Sequence, residues 1–254
     1  MPEPKSSLNY WSAQWAANPW EFGTSWKDCY ARLLELEFVR RQLSKVSGRV
    51  LDMGCGNLQL AESQDLFWEL AERGYLGVDG APAAVEVATM RVSGMANMDV
   101  ALEDFTRKEF GLAEYRDRFG VFLSKRVLQN LTPEERQKHW RQVLQFEHGI
   151  LVEGTQEGML NTSVCRTERG MGACTPPRFN YYLEPEEVDM LKKNVGAEVV
   201  PFMAHYMFET RGRRDLRVWD SEVHRAAYKQ NIEAIRSGAD AAFPVYGPTV
   251  AIVW

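Results

Sequence analysis

The chain is poor in cysteine, in excess positive charge and in long apolar runs, and each shortage removes a class of function. Its four cysteines, Cys29, Cys55, Cys165 and Cys174, fall in no CxxC spacing and meet no matching pair of histidines. Neither a zinc site nor a disulfide framework is expected, and no metal. Thirty Lys and Arg against 35 Asp and Glu leave a net charge of -5. A phosphate backbone is normally met by a clustered cationic face, so nucleic acid is not an expected partner. The one basic cluster, Arg211, Arg213, Arg214 and Arg217, reads as a solvated turn, with a local phosphate or carboxylate contact as the alternative. No window approaches a membrane span, and the opening MPEPKSSLNYW has no apolar run behind its lysine. Neither a membrane partner nor a secretory signal is expected, which leaves the cytoplasm as the default.

What is present points to a packed α/β protein. Hydrophobic residues make up 45% of the 254 and charged ones 26%, enough for a core and too apolar for wholesale disorder. Strand patterns recur at residues 49–53, 75–78, 98–102, 120–124, 150–153, 198–204 and 249–254. Helical patterns fall at 26–45, 58–73, 81–92, 132–146, 184–193 and 220–235. The fourth of these opens with Thr132, Pro133 and Glu135, the residues of a capping box with proline at the first helical position. Strands alternating with helices imply parallel pairing by right-handed crossovers and a ligand at the carboxyl ends of the strands. With no repeat or low-complexity linker, the chain reads as one domain: a head over residues 1–47 and a core over 48–254.

The first strand runs straight into a glycine turn, VLDMGCGN, and the second, YLGVDG, ends on Asp79. An acid on the second strand's rim, just over twenty residues past such a turn, is how a parallel α/β sheet holds a ribose diol, so a nucleoside-bearing cofactor is expected. Dinucleotide folds spell the turn GxGxxG, and here Gly54-Cys55-Gly56 is followed by Asn57, Leu58 and Gln59 without the third glycine. Asp52, just before the turn, would repel a pyrophosphate, yet it can orient an ammonium through water or backbone groups.

These residues resemble motif I of the class I S-adenosylmethionine-dependent methyltransferases. The resemblance implies a seven-stranded, mostly parallel Rossmann-like sheet flanked by helices, its last strand antiparallel, with S-adenosyl-L-methionine as cofactor. It implies contacts from Asp52, Gly54, Cys55 and Gly56 in the turn, and from Asp79, with Gly80 beside it, to the ribose. Asp104 would accept from the adenine amino group, and Phe105 would supply an amide or an apolar wall. Ser124 ends the fourth strand, which lies beside the transferring methyl in the family. The same place lacks the Asn or Asp-Pro-Pro-aromatic motif of nucleobase amino methylation, and Thr175-Pro176-Pro177-Arg178-Phe179 comes too late in the chain and carries an extra residue.

Four of the eight tryptophans, Trp11, Trp15, Trp20 and Trp26, crowd into the first 26 residues. They suit an N-terminal aromatic helical lid, for which the resemblance implies Tyr10 on the methionine carboxylate and Trp11 or Trp15 walling the active site, or a head that simply docks on the sheet. A narrower resemblance links the chain to bacterial small-molecule methyltransferases of biosynthetic clusters. It rests on Arg126, Leu128, Asn130 and Leu131, on Glu153 ending the fifth strand, on Asn161 and Arg166, and on Asn180-Tyr181. The Lys-Pro-Gly-Gly hairpin usual before the fifth strand is replaced by Gln145-Phe146-Glu147-His148-Gly149.

Residues 154–183 form too long an irregular stretch for a simple connection and read as a substrate-facing insertion after the fifth strand, or as a surface excursion. The acceptor would be a polar small molecule, a sugar or an amine, methylated on O or N and met by Trp15, Arg126, Asn161, Arg166, Asn180 and Tyr181. Glu153 is the candidate to orient it or act as base; a strand-end acid can equally bond backbone amides. His148 reads as a turn residue and His205 as a core histidine. A monomer or homodimer is expected. The competing classes are a cofactor-binding protein without turnover and an oxidoreductase on a dinucleotide fold.

Overall fold

Val50–Met53 (β1) is buried at every position, as expected of a central parallel strand covered on both faces. In the computed structural model, which describes residues 7–20, 29–105, 111, 113–154, 183–201, 233 and 249–254, it lies between Tyr75–Asp79 (β2) and Val121–Lys125 (β4), parallel to both. Met98–Leu102 (β3) extends the sheet beyond β2, and His148–Gly154 (β5) extends it beyond β4, again in parallel. Thr249–Val253 (β7) runs antiparallel between β5 and Glu198–Pro201 (β6). The order is β3-β2-β1-β4-β5-β7-β6, the seven-stranded, mostly parallel sheet expected above. Its order reverses between β1 and β4, and a parallel sheet opens a crevice at the carboxyl ends of such a pair.

Alternation along the strands makes two cores. Val50, Tyr75, Val121 and Ile150 face one side, where Leu36 and Val39 of Cys29–Leu43 (α2), Leu66 and Leu70 of Gln64–Arg73 (α3) and Ala88 of Pro82–Val92 (α4) cover them. Leu51, Val78, Phe122 and Leu151 face the other, under Trp140 and Val143 of Pro133–Val143 (α6) and Leu191 of Pro185–Val195 (α7). Ser7–Ala17 (α1) packs on α4, and the short Ala113–Arg116 (α5) precedes β4.

Local chemistry accounts for the boundaries. The capping box at α6 is present, with Thr132 Oγ1 accepting from Glu135 N and Glu135 from Thr132 N. A second box, Glu184 with Glu187, opens α7, and Gly196 at φ 65° closes it. Two expectations need correcting. The helix expected over 58–73 is split into a 3-10 turn, Gln59–Glu62, and α3, because Leu58 is left-handed at φ 60° and Ser63 caps Leu66 N. His148 is the first residue of β5 and not a turn, since it pairs with Val121 and its N donates to Gly120 O. The helix expected over 220–235 and His205 lie outside the described residues, apart from Glu233.

Candidate active site

The glycines of the first turn are required by contact as well as by conformation. Gly54 (φ 77°) and Gly56 (φ 56°) are left-handed, where a side chain is strained. A Cβ on Gly54 would stand 2.2 Å from Val127 Cγ2, and one on Gly56 3.0 Å from the Trp15 ring. The turn is tucked against β2 by Gly54 N and Cys55 N, which donate to Val78 O at 2.7 and 3.1 Å. Gly56 N then donates to Asp79 Oδ2 at 2.9 Å and Ala81 N to Oδ1 at 2.8 Å. Each carboxylate oxygen thus holds one amide and keeps a lone pair. Burial raises the Asp79 pKa, opposed by the amides of Ala81, Gly56 and Gly80.

Asp52 turns to the sheet interior. Its Oδ2 accepts from Tyr75 Oη at 2.7 Å, and burial pushes its pKa up to about 7 against that bond and the charge of Lys125. Room for the pair comes from Gly77, where a Cβ would lie 2.8 Å from both Tyr75 Oη and Cys55 Sγ. Cys55 is a buried free thiol whose pKa burial raises.

The helix α1 lies over these strand ends. Trp15 is buried against Ala81 and Ala84 and over Gly56, while a Cβ on Gly80 would meet Leu8 Cδ1 at 2.6 Å. Asn57 Nδ2 donates to Pro19 O at 3.1 Å and ties the end of the head to the turn. Trp15, expected to wall the acceptor, therefore sits on the glycine turn. Tyr10 is half-buried and stacks edge-on against Trp11, with centroids 5.1 Å apart.

At the β3 rim, Glu103 N donates to Asp79 O at 2.9 Å. Asp104 is half-buried, whereas the Phe105 ring is buried in the core under α6 and α7. Phe105 O meets His139 Nε2 at 2.8 Å.

The β4 rim is organised around Glu153, which is fully buried. Its Oε1 accepts from Ser124 Oγ at 2.7 Å and from Val127 N and Leu128 N at 3.1 Å each, and its Oε2 from Gln129 N at 3.2 Å. Burial raises its pKa and these four donors lower it, the net being upward. Gln129 Oε1 accepts from Gly154 N at 2.7 Å, closing the link back to β5. Arg126, left-handed at φ 61°, is held by its N to Val152 O at 2.8 Å and by Asn130 Nδ2 on its carbonyl at 2.6 Å. Its guanidinium, expected to meet the acceptor, pairs through Nε and NH2 with Glu35 of α2. Lys125 Nζ lies 3.1 Å from Gln59 Oε1 and 3.7 Å from Glu35.

Sequence reasoning missed Glu35, Gln129, Arg136 and His139. Arg136 is fully buried, forked onto Glu187 of α7 at 2.8 and 2.6 Å, with NH1 on Leu131 O at 2.6 Å and Leu128 O at 3.2 Å. Its only signal is its place on the same helix face as Trp140 and Val143, where a polar residue ordinarily reads as solvent-facing. Asn161, Arg166, Asn180 and Tyr181 lie outside the described residues, as do residues 155–182 of the insertion. Among the described residues no helix is long and apolar enough to cross a membrane, and no three His, Cys, Asp or Glu group as a metal site.

No protein-family model and no curated protein matches the sequence. Solved structures do. The chain is similar to the plantazolicin methyltransferase BpumL, in complex with a pentazolic desmethylPZN analog and SAH, at a TM-score of 0.53 and 14% identity, covering 96% of this chain and 90% of that one. It is similar to the magnesium protoporphyrin IX methyltransferase ChlM of Synechocystis PCC 6803 with bound SAH, at a TM-score of 0.50 and 16% identity, covering 76% and 86%. The phosphoethanolamine N-methyltransferase 1 of Haemonchus contortus, with phosphoethanolamine and SAH, aligns at 0.51 and 16% identity over 73% of this chain and 39% of that one. These likenesses show the fold: the chain has the α/β fold of the S-adenosylmethionine-dependent methyltransferases.

Proposed function

We propose that the chain transfers a methyl group from S-adenosylmethionine to oxygen or nitrogen of a polar small molecule. The observation that carries this reading is the Asp79 carboxylate, fixed by the amides of Gly56 and Ala81 at the carboxyl end of β2, one strand from the sheet's switch point. Its oxygens retain acceptor capacity for a diol. S-adenosylmethionine fits this turn better than a dinucleotide, because the turn offers no third glycine.

When bound, the sulfonium supplies an already electrophilic methyl, so the chain's own task is to align a nucleophile and exclude water. Asp79, Gly80, Asp104 and the Phe105 peptide hold the nucleoside end, and α1 covers it through Trp15 and Leu8. Tyr10, on the same helix, serves the methionine end. Glu153 anchors the β4 rim and is not the base, because its oxygens are already engaged by four donors. Ser124 acts through that anchor. The acceptor is met by residues of the 154–183 segment, Asn161, Arg166, Asn180 and Tyr181; Arg126, committed to Glu35, shapes the rim. Neighbours named for plantazolicin and phosphoethanolamine support an acceptor of small-molecule or peptide class.

Isothermal titration with S-adenosylhomocysteine and with NADH tests the reading. The wild type should bind the first saturably and the second not at all. Asp79→Ala should weaken binding at least about tenfold, the scale of a lost charged hydrogen bond. NADH binding alone, or unchanged affinity in the variant, would overturn it.

A further inference from the structure

The chain leaves β4 through a residue that is left-handed without being glycine. Arg126 has φ 61°, a conformation that a Cβ disfavours and that persists only where its surroundings hold it. Two main-chain bonds, from its N to Val152 O and from Asn130 Nδ2 to its carbonyl, would serve any residue but proline at this position. A third hold is particular to arginine. Its Nε donates to Glu35 Oε1 of α2 at 2.9 Å, and NH2 donates to the same oxygen. Glu35 is fully buried and lies 91 residues away in sequence. Its other oxygen stands 3.7 Å from Lys125 Nζ, whose pKa burial lowers against the charge of Glu35. Side chains of successive strand residues ordinarily point to opposite faces. Here two in succession reach one carboxylate, because the left-handed turn breaks the alternation.

The segment beyond depends on this turn. The amides of Val127, Leu128 and Gln129 face Glu153, while the Val127 side chain lies against the glycine turn after β1, where a Cβ on Gly54 would stand 2.2 and 2.6 Å from its two methyl carbons. Gly54 N is held by Val78 O, and two residues on Gly56 N donates to Asp79. A buried ion pair is a weak source of net stability. What this one adds is a backbone direction. We propose that Glu35 is a positioning residue: through Arg126 it holds the left-handed exit of β4, and so keeps Val127 seated on Gly54. The inference rests on the cofactor reading above, and it ties α2, which precedes the sheet in sequence, to the turn beside Asp79.

Titration calorimetry with S-adenosylhomocysteine on the full chain tests it, with thermal unfolding measured beside each variant. Glu35→Gln removes the charge that holds Arg126 and should weaken binding about tenfold, the scale of the left-handed penalty on a residue with a Cβ. Two double variants, E35Q/R126G and E35Q/R126A, share the loss of both charges, so a difference between them reads the backbone alone. Glycine takes a positive φ without strain, so E35Q/R126G should regain affinity to within about threefold of wild type, while E35Q/R126A should stay about tenfold weaker. Should E35Q fail to fold, the double variants decide alone. Wild-type affinity in E35Q, or equal affinities in the two double variants, assigns Glu35 a structural role only and overturns the proposal. A wild type that binds no S-adenosylhomocysteine overturns the cofactor reading and this inference with it; binding by the wild type with no rescue by glycine overturns the inference alone.

Discussion

Glu153 shows how one acid at a strand end reads differently from its sequence and from its contacts. Its position at the end of the fifth strand suits a base or an anchor equally, and only the amides of Val127, Leu128 and Gln129 with the Ser124 hydroxyl separate the two. Replacing it by alanine strands four donors, three of them buried, and each buried one costs about 1–3 kcal/mol when left unpaired. Glu153→Ala should therefore destabilise the fold by at least about 3 kcal/mol in urea titration. Glu153→Gln should lie between it and the wild type, since the amide keeps one acceptor oxygen and sets an N–H against a donor. Wild-type stability in E153A would show that the carboxylate does not organise the β4 rim. Asp79 and Glu153 were both legible as candidates because an acid after an apolar run is conspicuous. Arg136 and His139 were not, because a buried polar residue inside a helix looks the same in sequence as a solvated one until its partner, here Glu187 or Phe105 O, is brought near by the fold.

Among the elements, α1 and α6 divide the work of holding the strand rims. The capping box, with Pro133 behind it, makes α6 readable from sequence to within a few residues, and its network to Glu187 joins it to α7. By contrast, α1 has little amphipathic pattern. Its aromatic density marks the segment, but which ring goes where is decided by glycines far along the chain, since Trp15 fits only over Gly56 and Leu8 only over Gly80. A split such as that between Gln59–Glu62 and α3 was hidden for the same reason: Leu58 takes a left-handed conformation that a leucine in a helical pattern gives no cause to expect. Because α1 packs on α4 and the turn, Trp15→Ala should cost stability on the scale of a buried tryptophan, up to about 3–5 kcal/mol, and S-adenosylhomocysteine should dissociate at least about tenfold faster. Stopped-flow displacement reads the rate directly. An unchanged rate would mean that the helix docks beside the cleft without closing it.

At the scale of the whole molecule, three carboxyl groups among the described residues lie at or under the strand ends with their pKa values raised by burial: Asp52 to about 7, and Asp79 and Glu153 in the same direction. Seven strands in this order bring them there, because each lies within one residue of the carboxyl end of its strand in a sheet whose alternation was readable, while their mutual burial is a property of the closed sheet. A carboxyl whose folded pKa exceeds its unfolded one binds a proton more tightly in the native state. Its stabilisation is complete below the unfolded value and is lost as pH rises through the folded one. Glu187 is shifted the other way: burial acts to raise its pKa, and the bonds from Arg136, Glu184 N and Trp140 outweigh it, so its contribution fades only as pH falls through its depressed value. The two effects occupy different windows, and between about pH 4.5 and 7 the raised acids dominate. Unfolding free energy from urea titration should therefore decline across that interval, by up to about 1.4 kcal/mol per pH unit for each group between its unfolded and folded pKa. Asp52→Asn keeps an acceptor for Tyr75 Oη and removes the titration, so its profile should be the flatter of the two above pH 5. Parallel profiles for wild type and D52N would place the native Asp52 carboxyl at an ordinary pKa, ionised throughout beside Tyr75.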